Sequence, residues 1–400
     1  MEWFINKDDC CGCEACVQAC PKSCIELVED KGGFLYPTRK DNDVCVNCGI
    51  CEKVCPVKNN NIECHQPLKT FICRVNSATI IEKCASGGAF YELATVTIKQ
   101  GGVVFGVKFD SNWDACYGYA EDLENMVAFL GSKYVAPRIG DSYKIVKNFL
   151  EEGRKVLFSG LPCHVAGLKQ YLFKEYENLL TVELMCTAVP SPRVWSKYLH
   201  EVAPKGATNV TFRSKSFGWN RYGLKITYDN ESLVHEPNDE NLYMQGFLQG
   251  LTVRKNCGNC LYKGLNTKGD IMIGDYWELE KYYPELDDNK GMSLVLAFTE
   301  KGCRAFNAIK SEIFVKEIPF SQVDTAAEHS CLNHPIRLHR NRDYFFSKIN
   351  SNTKTITSII KKSLYKKTSK PKSLKELGVV IMKSLLNDDY YKFRRLWKRK

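Results

Sequence analysis

Cys10-Cys11-Gly12-Cys13-Glu14-Ala15-Cys16-Val17-Gln18-Ala19-Cys20-Pro21 decides how the rest of the chain is read. The same spacing returns at Cys45-Val46-Asn47-Cys48-Gly49-Ile50-Cys51-Glu52-Lys53-Val54-Cys55-Pro56, every motif cysteine 35 residues after its counterpart. Both copies follow C-x-x-C-x-x-C-x-x-x-C-P, the bacterial-type iron–sulfur run. In such a run three thiolates on a tight loop hold three corners of one [4Fe-4S] cube, and the fourth, set off before proline, ligates the other cube. The repeat therefore predicts two cubanes, one on Cys10, Cys13, Cys16 and Cys55 and the other on Cys45, Cys48, Cys51 and Cys20. Between the copies, Ile25 and Leu27, the turn Asp30-Lys31-Gly32-Gly33, then Phe34 and Tyr36 read as a hairpin that covers the clusters from water. The competing readings are a disulfide framework and zinc. Disulfides need an oxidising compartment and no leader is read ahead of the run, while zinc more usually takes two paired C-x-x-C motifs. Cys11, Cys24, Cys64 and Cys73 fall outside the pattern and read as ordinary thiols.

Working outward, 400 residues with 44% hydrophobic content suggest two or three units with an ample core. Twenty cysteines without a leader point to a reducing cytoplasm, where thiols serve metals or catalysis. No apolar run reaches the roughly 18 residues expected of a membrane-spanning helix. Residues 351–400 hold 15 Lys/Arg against 3 Asp/Glu, an excess larger than the +10 of the whole chain. The basicity therefore belongs to a tail, which argues against nucleic acid as a partner. The spacing of Ile356, Ile359, Ile360 and Leu364, with the closing Phe393-Arg394-Arg395-Leu396-Trp397-Lys398, fits a basic amphipathic helix. Such a helix can lie peripherally on an anionic membrane at its inner face, or be merely solvated.

After a linker over 57–69, Ala85-Ser86-Gly87-Gly88 opens a predicted helix over 89–99, a glycine-rich entry that suits a phosphate or serves only as a cap. Gly101-Gly102 leads to a buried strand at 103–107. Gly131-Ser132-Lys133-Tyr134 offers small, basic and aromatic groups for a cofactor's phosphates or ring, or is a plain loop. Val156-Leu157-Phe158, a turn at Pro162-Cys163-His164, a helix through Leu172 and a strand from Leu179 to Met185 make a strand–helix–strand unit with parallel strands. Cys163 and Cys186 each follow a strand's carboxyl end, the edge where open α/β sheets bind ligands. If the loop of Cys257-Gly258-Asn259-Cys260 folds over that edge, four thiolates meet in a third [4Fe-4S] site. A redox-active dithiol at Cys257/Cys260, half a zinc site and unrelated thiols are the alternatives. Ile271–Asp275 and 291–298 read as further strands, with Asp275 and Trp277 at a strand's end. His329, Cys331, His334 and His339 match no metal spacing.

Ser86-Gly87-Gly88, Gly131-Ser132-Lys133-Tyr134, Leu161-Pro162-Cys163-His164-Val165-Ala166-Gly167-Leu168-Lys169, Cys186 with Val189-Pro190-Ser191-Pro192, Cys257-x-x-Cys260 and Gly269-Asp270-Ile271-Met272-Ile273-Gly274-Asp275 resemble, in order, the beta subunits of coenzyme F-420 hydrogenases and dehydrogenases and the similar 7-hydroxymethyl chlorophyll reductases. The likeness spans roughly residues 65 to 345. It implies FAD beside an iron–sulfur cluster. Ser86, Gly87, Gly88, Ser132, Lys133 and Tyr134 match the flavin-contacting stretches, and Cys163, Cys186, Cys257 and Cys260 match the cluster ligands. His164 departs from the family's usual glutamine, so no role is carried over for that side chain.

The expected fold is α/β, α+β overall. It comprises a two-cluster ferredoxin domain over 1–62, a mixed α/β flavin and iron–sulfur domain over 63–345, and a basic helical tail over 346–400. The expected function, by resemblance, is an iron–sulfur flavoprotein oxidoreductase. Electrons from ferredoxin, F-420 or a partner reductase would pass through the clusters to FAD and on to a two-electron acceptor. Bacterial relatives often sit among surface-polysaccharide enzymes, which suggests an intermediate of that chemistry as acceptor. The alternative is a non-catalytic electron-transfer subunit. His164, Asp275 and Tyr134 are the candidate proton donors.

Overall fold

The computed structural model describes residues 5–40, 44–61, 63–323, 331–351 and 353–366. In the N-terminal segment the 35-residue repeat is repeated in the backbone. Gly12 and Asn47 both take left-handed conformations (φ 77° and 52°), as do Glu14 and Gly49 (58° and 70°). Each pair immediately precedes a short helix, Ala15–Ala19 in the first copy and Ile50–Lys53 in the second. The hairpin expected between them forms from β1 (Ile25–Glu29) and β2 (Leu35–Arg39), paired antiparallel. The Asp30 carboxylate fixes its turn by accepting from the amides of Gly32 and Phe34.

The body of the chain is built on β3 (Lys69–Val75), β4 (Val103–Phe109), β5 (Ala115–Ala120), β6 (Val156–Gly160), β7 (Leu179–Leu184), β8 (Asn209–Ser214), β9 (Gly223–Tyr228), β10 (Glu231–Pro237), β11 (Ile271–Asp275), β12 (Ser293–Ala297) and β13 (Ile313–Glu317). Eight of these make one mixed sheet in the order β13-β3-β12-β11-β7-β6-β4-β5. Its centre, β4-β6-β7-β11, is parallel, and the flanking pairs are antiparallel. Parallel strands covered on both faces read as continuous apolar runs, and all five residues of β6 are buried. The strand–helix–strand unit is present as β6, the helix Pro162–Leu172 and β7. Pro162 sits in its first turn, where a missing N–H costs nothing. This leaves Cys163 just beyond β6 and Cys186 just beyond β7, on one edge.

A second, antiparallel sheet, β10-β9-β8, closes over the helices Pro192–Val202 and Leu242–Leu248 around Trp195, Phe212 and Tyr243. The tail reading is corrected here. Ile356, Ile359, Ile360 and Leu364 lie on the helix Ile356–Tyr365, but all four are buried in this same core. The stripe that spacing alone offered to a lipid surface is already covered by protein. Residues 367–400, with the Phe393–Lys398 stretch, lie outside the described residues. Among the described residues no helix is long and apolar enough to cross a membrane.

The N-terminal segment docks through buried polar groups. The Glu14 carboxylate accepts from the amides of Ile139 and Gly140, both at 3.1 Å, and Gln18 Oε1 accepts from that of Tyr143 at 3.0 Å. The stretch around Cys257, whose residues Lys255–Asn259 form a short 3-10 helix, reinforces the contact. Arg254, Lys255, Asn256 and Tyr262 bond respectively to Cys10, Asp8, Asp9 and Pro56.

Candidate iron–sulfur and flavin site

All twenty cysteines are free thiols. Cys10, Cys13, Cys16 and Cys55 are each buried to within 8% exposure and line one cavity. Leu27, Leu35 and Pro37 of the hairpin close this cavity, which is the cover the sequence implied. The fourth member comes from the second copy, as the spacing of the run requires. The other set is more open: Cys20, Cys45 and Cys51 are half-buried and Cys48 is exposed. Cys24, read as an ordinary thiol, has its Sγ 3.3 Å from that of Cys20 and so stands at this second group. Among the described residues no three His, Cys, Asp or Glu side chains close on a single metal ion.

Cys163, Cys186, Cys257 and Cys260 come together at the sheet edge. Hydrogen bonding to Cys11, then burial and the nearby Cys260 and Cys186, push the Cys163 thiol well up. Burial likewise raises Cys186, with Cys257, Cys260 and Cys331 adding to the rise and Lys263 opposing it. Burial carries Cys257 to about 11. Such thiols are poor nucleophiles as they stand and become thiolates when a metal takes their protons. Two members of this neighbourhood escaped the sequence reading. Cys11 lies near both Cys13 and Cys163, which together lower its thiol, and so stands between the first group and the third. Cys331 lies beside Cys186, and Lys263 Nζ donates to the carbonyls of both. His329 lies outside the described residues.

The stretches expected to meet a flavin are adjacent, though several have structural partners. Ser86 Oγ donates to the Met292 carbonyl at 2.8 Å. Gly87 lies so close to β3 and β12 that a Cβ would strike the Cys73 carbonyl and the Ser293 amide, so packing alone demands glycine here. Gly88, at φ 90°, starts the helix Ala89–Lys99. Lys133 Nζ donates to the carbonyls of Ala128 and Leu130, and burial lowers it to about 7. Ser132, next to it, is half-buried. The Tyr134 ring packs 5.0 Å from that of Phe247, and its hydroxyl accepts from Arg213.

Arg213 is the residue that sequence reasoning missed most. Only 4% exposed, it pairs with Asp275 at 3.1 Å, donates to the Ala85 carbonyl and lies 3.8 Å over the Tyr222 ring. Its Nε has no partner among the described residues. Lys215 donates to the carbonyls of Ile81 and Ser86, and burial lowers it to about 8. Trp277 stacks on Trp219 at 4.7 Å. Of the three candidate acids, His164 and Tyr134 are shifted away from neutrality and Asp275 is engaged in an ion pair. Burial lowers His164 to about 4, and its ring instead meets the Tyr117 hydroxyl at 3.1 Å. Burial raises Tyr134, and Asp275 is paired with Arg213.

Comparison with known proteins matches two separate regions of the chain. Residues 9–59 match the family described as 4Fe-4S dicluster domain, and residues 153–323 the family described as the C terminus of the coenzyme F420 hydrogenase/dehydrogenase beta subunit. A pyruvate synthase subunit PorD from Methanothermobacter marburgensis is 37% identical over 60 residues, 15% of this chain and 63% of its own length. A ferredoxin 7Fe from Hydrogenibacillus schlegelii is 39% identical over 56 residues, 14% and 64% respectively. The chain thus spans less than two thirds of the length of these two relatives. An uncharacterised ferredoxin from Methanocaldococcus jannaschii is 30% identical over 69 residues, 17% of this chain and 87% of its own length. Among solved structures, a chain of the xenon-derivatised F420-reducing [NiFe] hydrogenase complex from Methanosarcina barkeri aligns with 75% of this chain and 91% of itself, at 13% identity and a TM-score of 0.45. In order along its length, then, this chain carries a 4Fe-4S dicluster ferredoxin domain near its N-terminal end and, over residues 153–323, a region that matches the C-terminal part of the coenzyme F420 hydrogenase/dehydrogenase beta subunit.

Proposed function

We propose that this protein is an iron–sulfur flavoprotein that takes electrons singly from a low-potential donor, ferredoxin or a partner reductase, and delivers them in pairs to a small-molecule acceptor. The observation that carries the reading is the meeting of Cys163, Cys186, Cys257 and Cys260 at the carboxyl edge of β6 and β7, joined through Cys11 to the cavity of Cys10, Cys13, Cys16 and Cys55. In this reading those eight cysteines hold two cubanes, and Cys20, Cys45, Cys48 and Cys51 hold a more exposed one that faces the donor.

Bound in these places, the clusters supply one-electron transfer and FAD supplies two-electron chemistry with a proton. The chain contributes insulation, orientation and charge. Lys133 and Lys215 touch only backbone carbonyls, and Arg213 keeps a free Nε, so the three offer donors for a diphosphate or an electron-rich ring edge. The glycine entry at Gly87-Gly88 brings a helix N-terminus beside them. Lys133 and Lys215, lowered by burial to about 7 and about 8, are the groups here that can release a proton from Nζ near neutrality.

Anaerobic reconstitution with iron, sulfide and FAD is the test. About twelve irons per chain and one tightly bound flavin are expected. About eight irons would remove the third cluster, and no bound flavin would remove the flavoprotein. The family description names a beta subunit, which favours a second reading: a subunit that hands its electrons to a partner enzyme. The isolated chain would then reduce artificial dyes, turn over no metabolite and co-purify with a larger assembly.

A further inference from the structure

Arg254 is a buried cation with no carboxylate in ion-pair contact among the described residues, the buried Glu14 carboxyl feeling its charge only from a distance. It is 4% exposed, and its guanidinium donates from Nε to the Cys10 carbonyl at 2.8 Å and from one terminal nitrogen to the Leu35 carbonyl at 3.0 Å. That same nitrogen lies 3.5 Å from Cys10 Sγ. The Tyr36 ring covers it at 4.1 Å. Among the described residues it forms no ion pair, and burying an unpaired charge is costly unless a counter-charge is present. The backbone makes room for it: a Cβ on Gly12 would lie 2.9 Å from one guanidinium nitrogen. Among the described residues nothing equivalent serves the second copy. There Asn47 occupies the place of Gly12, it is the Cys45 thiol's partner, and the surrounding cysteines reach solvent.

We propose that Arg254 is the built-in counter-cation of the cluster held by Cys10, Cys13, Cys16 and Cys55, and that its charge keeps that cluster reducible despite its burial. The inference rests on the reading of those four cysteines as ligands. A cubane on four thiolates is anionic and becomes more so on reduction, and burial disfavours the added charge. A guanidinium beside one sulfur favours it and therefore raises the potential. Reduction takes one electron from a low-potential one-electron donor. No bond is made or broken, and the guanidinium stays protonated throughout. Arg254 is a positioning and tuning residue. It lies three residues ahead of Cys257, so the chain that brings this charge to the first group also brings a thiol to the third.

The test is a redox titration of the full-length, anaerobically reconstituted protein by electron paramagnetic resonance. The buried cluster is recognised as the ferredoxin-type signal least broadened by an added paramagnetic relaxant. In Arg254→Gln that signal's midpoint is expected to move to lower potential while the exposed cluster's stays in place. Arg254→Lys, which keeps the charge and loses the fork, should return most of the shift. Arg193→Ala, at the Glu29 and Lys31 contacts of the same boundary, should move neither. An unshifted midpoint in iron-loaded Arg254→Gln, or an Arg254→Lys that behaves like it, overturns the proposal. If Arg254→Gln loads poorly, a loaded Arg254→Lys with a wild-type midpoint supports the charge, and one that also fails to load assigns the fork a purely structural role and overturns it. Cys13→Ala, which leaves no ligand atom, checks the underlying reading separately, because full iron retention there would remove the cluster itself.

Discussion

At the scale of single residues, the buried carboxyl of Glu183 makes the chain's stability depend on pH. Fully buried on β7, it accepts from Thr267 Oγ1 at 2.6 Å and from the Lys268 amide at 3.0 Å, yet burial pushes it from the ordinary 4.5 to about 7. The folded state therefore favours the protonated acid. Its stabilising contribution is complete below pH 4.5 and is lost as pH rises through about 7. The full shift corresponds to about 3 kcal/mol. Glu183→Gln keeps the shape and removes the titration. Urea unfolding of both proteins under anaerobic conditions should show the variant gaining on wild type between pH 5 and pH 8, with the largest difference at the alkaline end. A difference that stays flat with pH would assign the buried carboxyl to some other balance of forces. Arg254 and Arg213 illustrate the same scale from the opposite side, as cations whose worth depends entirely on what is brought next to them.

At the scale of elements, the helix Ile356–Tyr365 shows how an amphipathic pattern is ambiguous about its partner. Its periodicity specifies one apolar face and says nothing about whether lipid or protein covers it. The structure buries it in the same core as Trp195, Tyr243 and Phe247, and tethers its start through the Thr357 amide to Glu201 at 3.2 Å. Ile360→Ala should therefore cost about 2–5 kcal/mol in chemical unfolding. Vesicle sedimentation of that variant should match wild type, since Ile360 is fully buried. What was legible in the sequence follows the same distinction. The cysteine runs, the hairpin, the helix at 89–99 and the unit from β6 to β7 are carried by local spacing, and all appear. Cys11, Cys331, Arg213 and Arg254 owe their places to contacts between distant parts of the chain, 244 residues apart for Arg254 and Cys10. No local pattern could mark them. Cys163 and Cys186 fall between these cases. Each was visible because a parallel crossover puts consecutive strand ends on one edge, a topological rule that converts sequence order into proximity.

At the scale of the whole molecule, the two copies of the repeat have become unequal, and the inequality is what ties the cluster-bearing segment to the sheet. The left-handed backbone position ahead of the short helix is Gly49 in the second copy and Glu14 in the first. A side chain there strains the backbone by about 1–2 kcal/mol, and glycine relieves it. The strain persists because the carboxylate holds two otherwise unpartnered amides, Ile139 and Gly140, across the boundary. Glu14→Gly makes the first copy like the second. Locally it should be tolerated, so iron bound by the N-terminal clusters should stay near the wild-type amount. Across the boundary it strands two buried N–H groups, each worth about 1–3 kcal/mol when left unmade. The expected result is a protein whose single unfolding transition splits. Limited proteolysis should then cut first within residues 57–69 and release the N-terminal segment while the sheet remains folded. If cutting there is no faster than in wild type, the boundary is held chiefly by the Arg254–Tyr262 stretch instead, and the pair of variants Glu14→Gly and Asn256→Ala would apportion it.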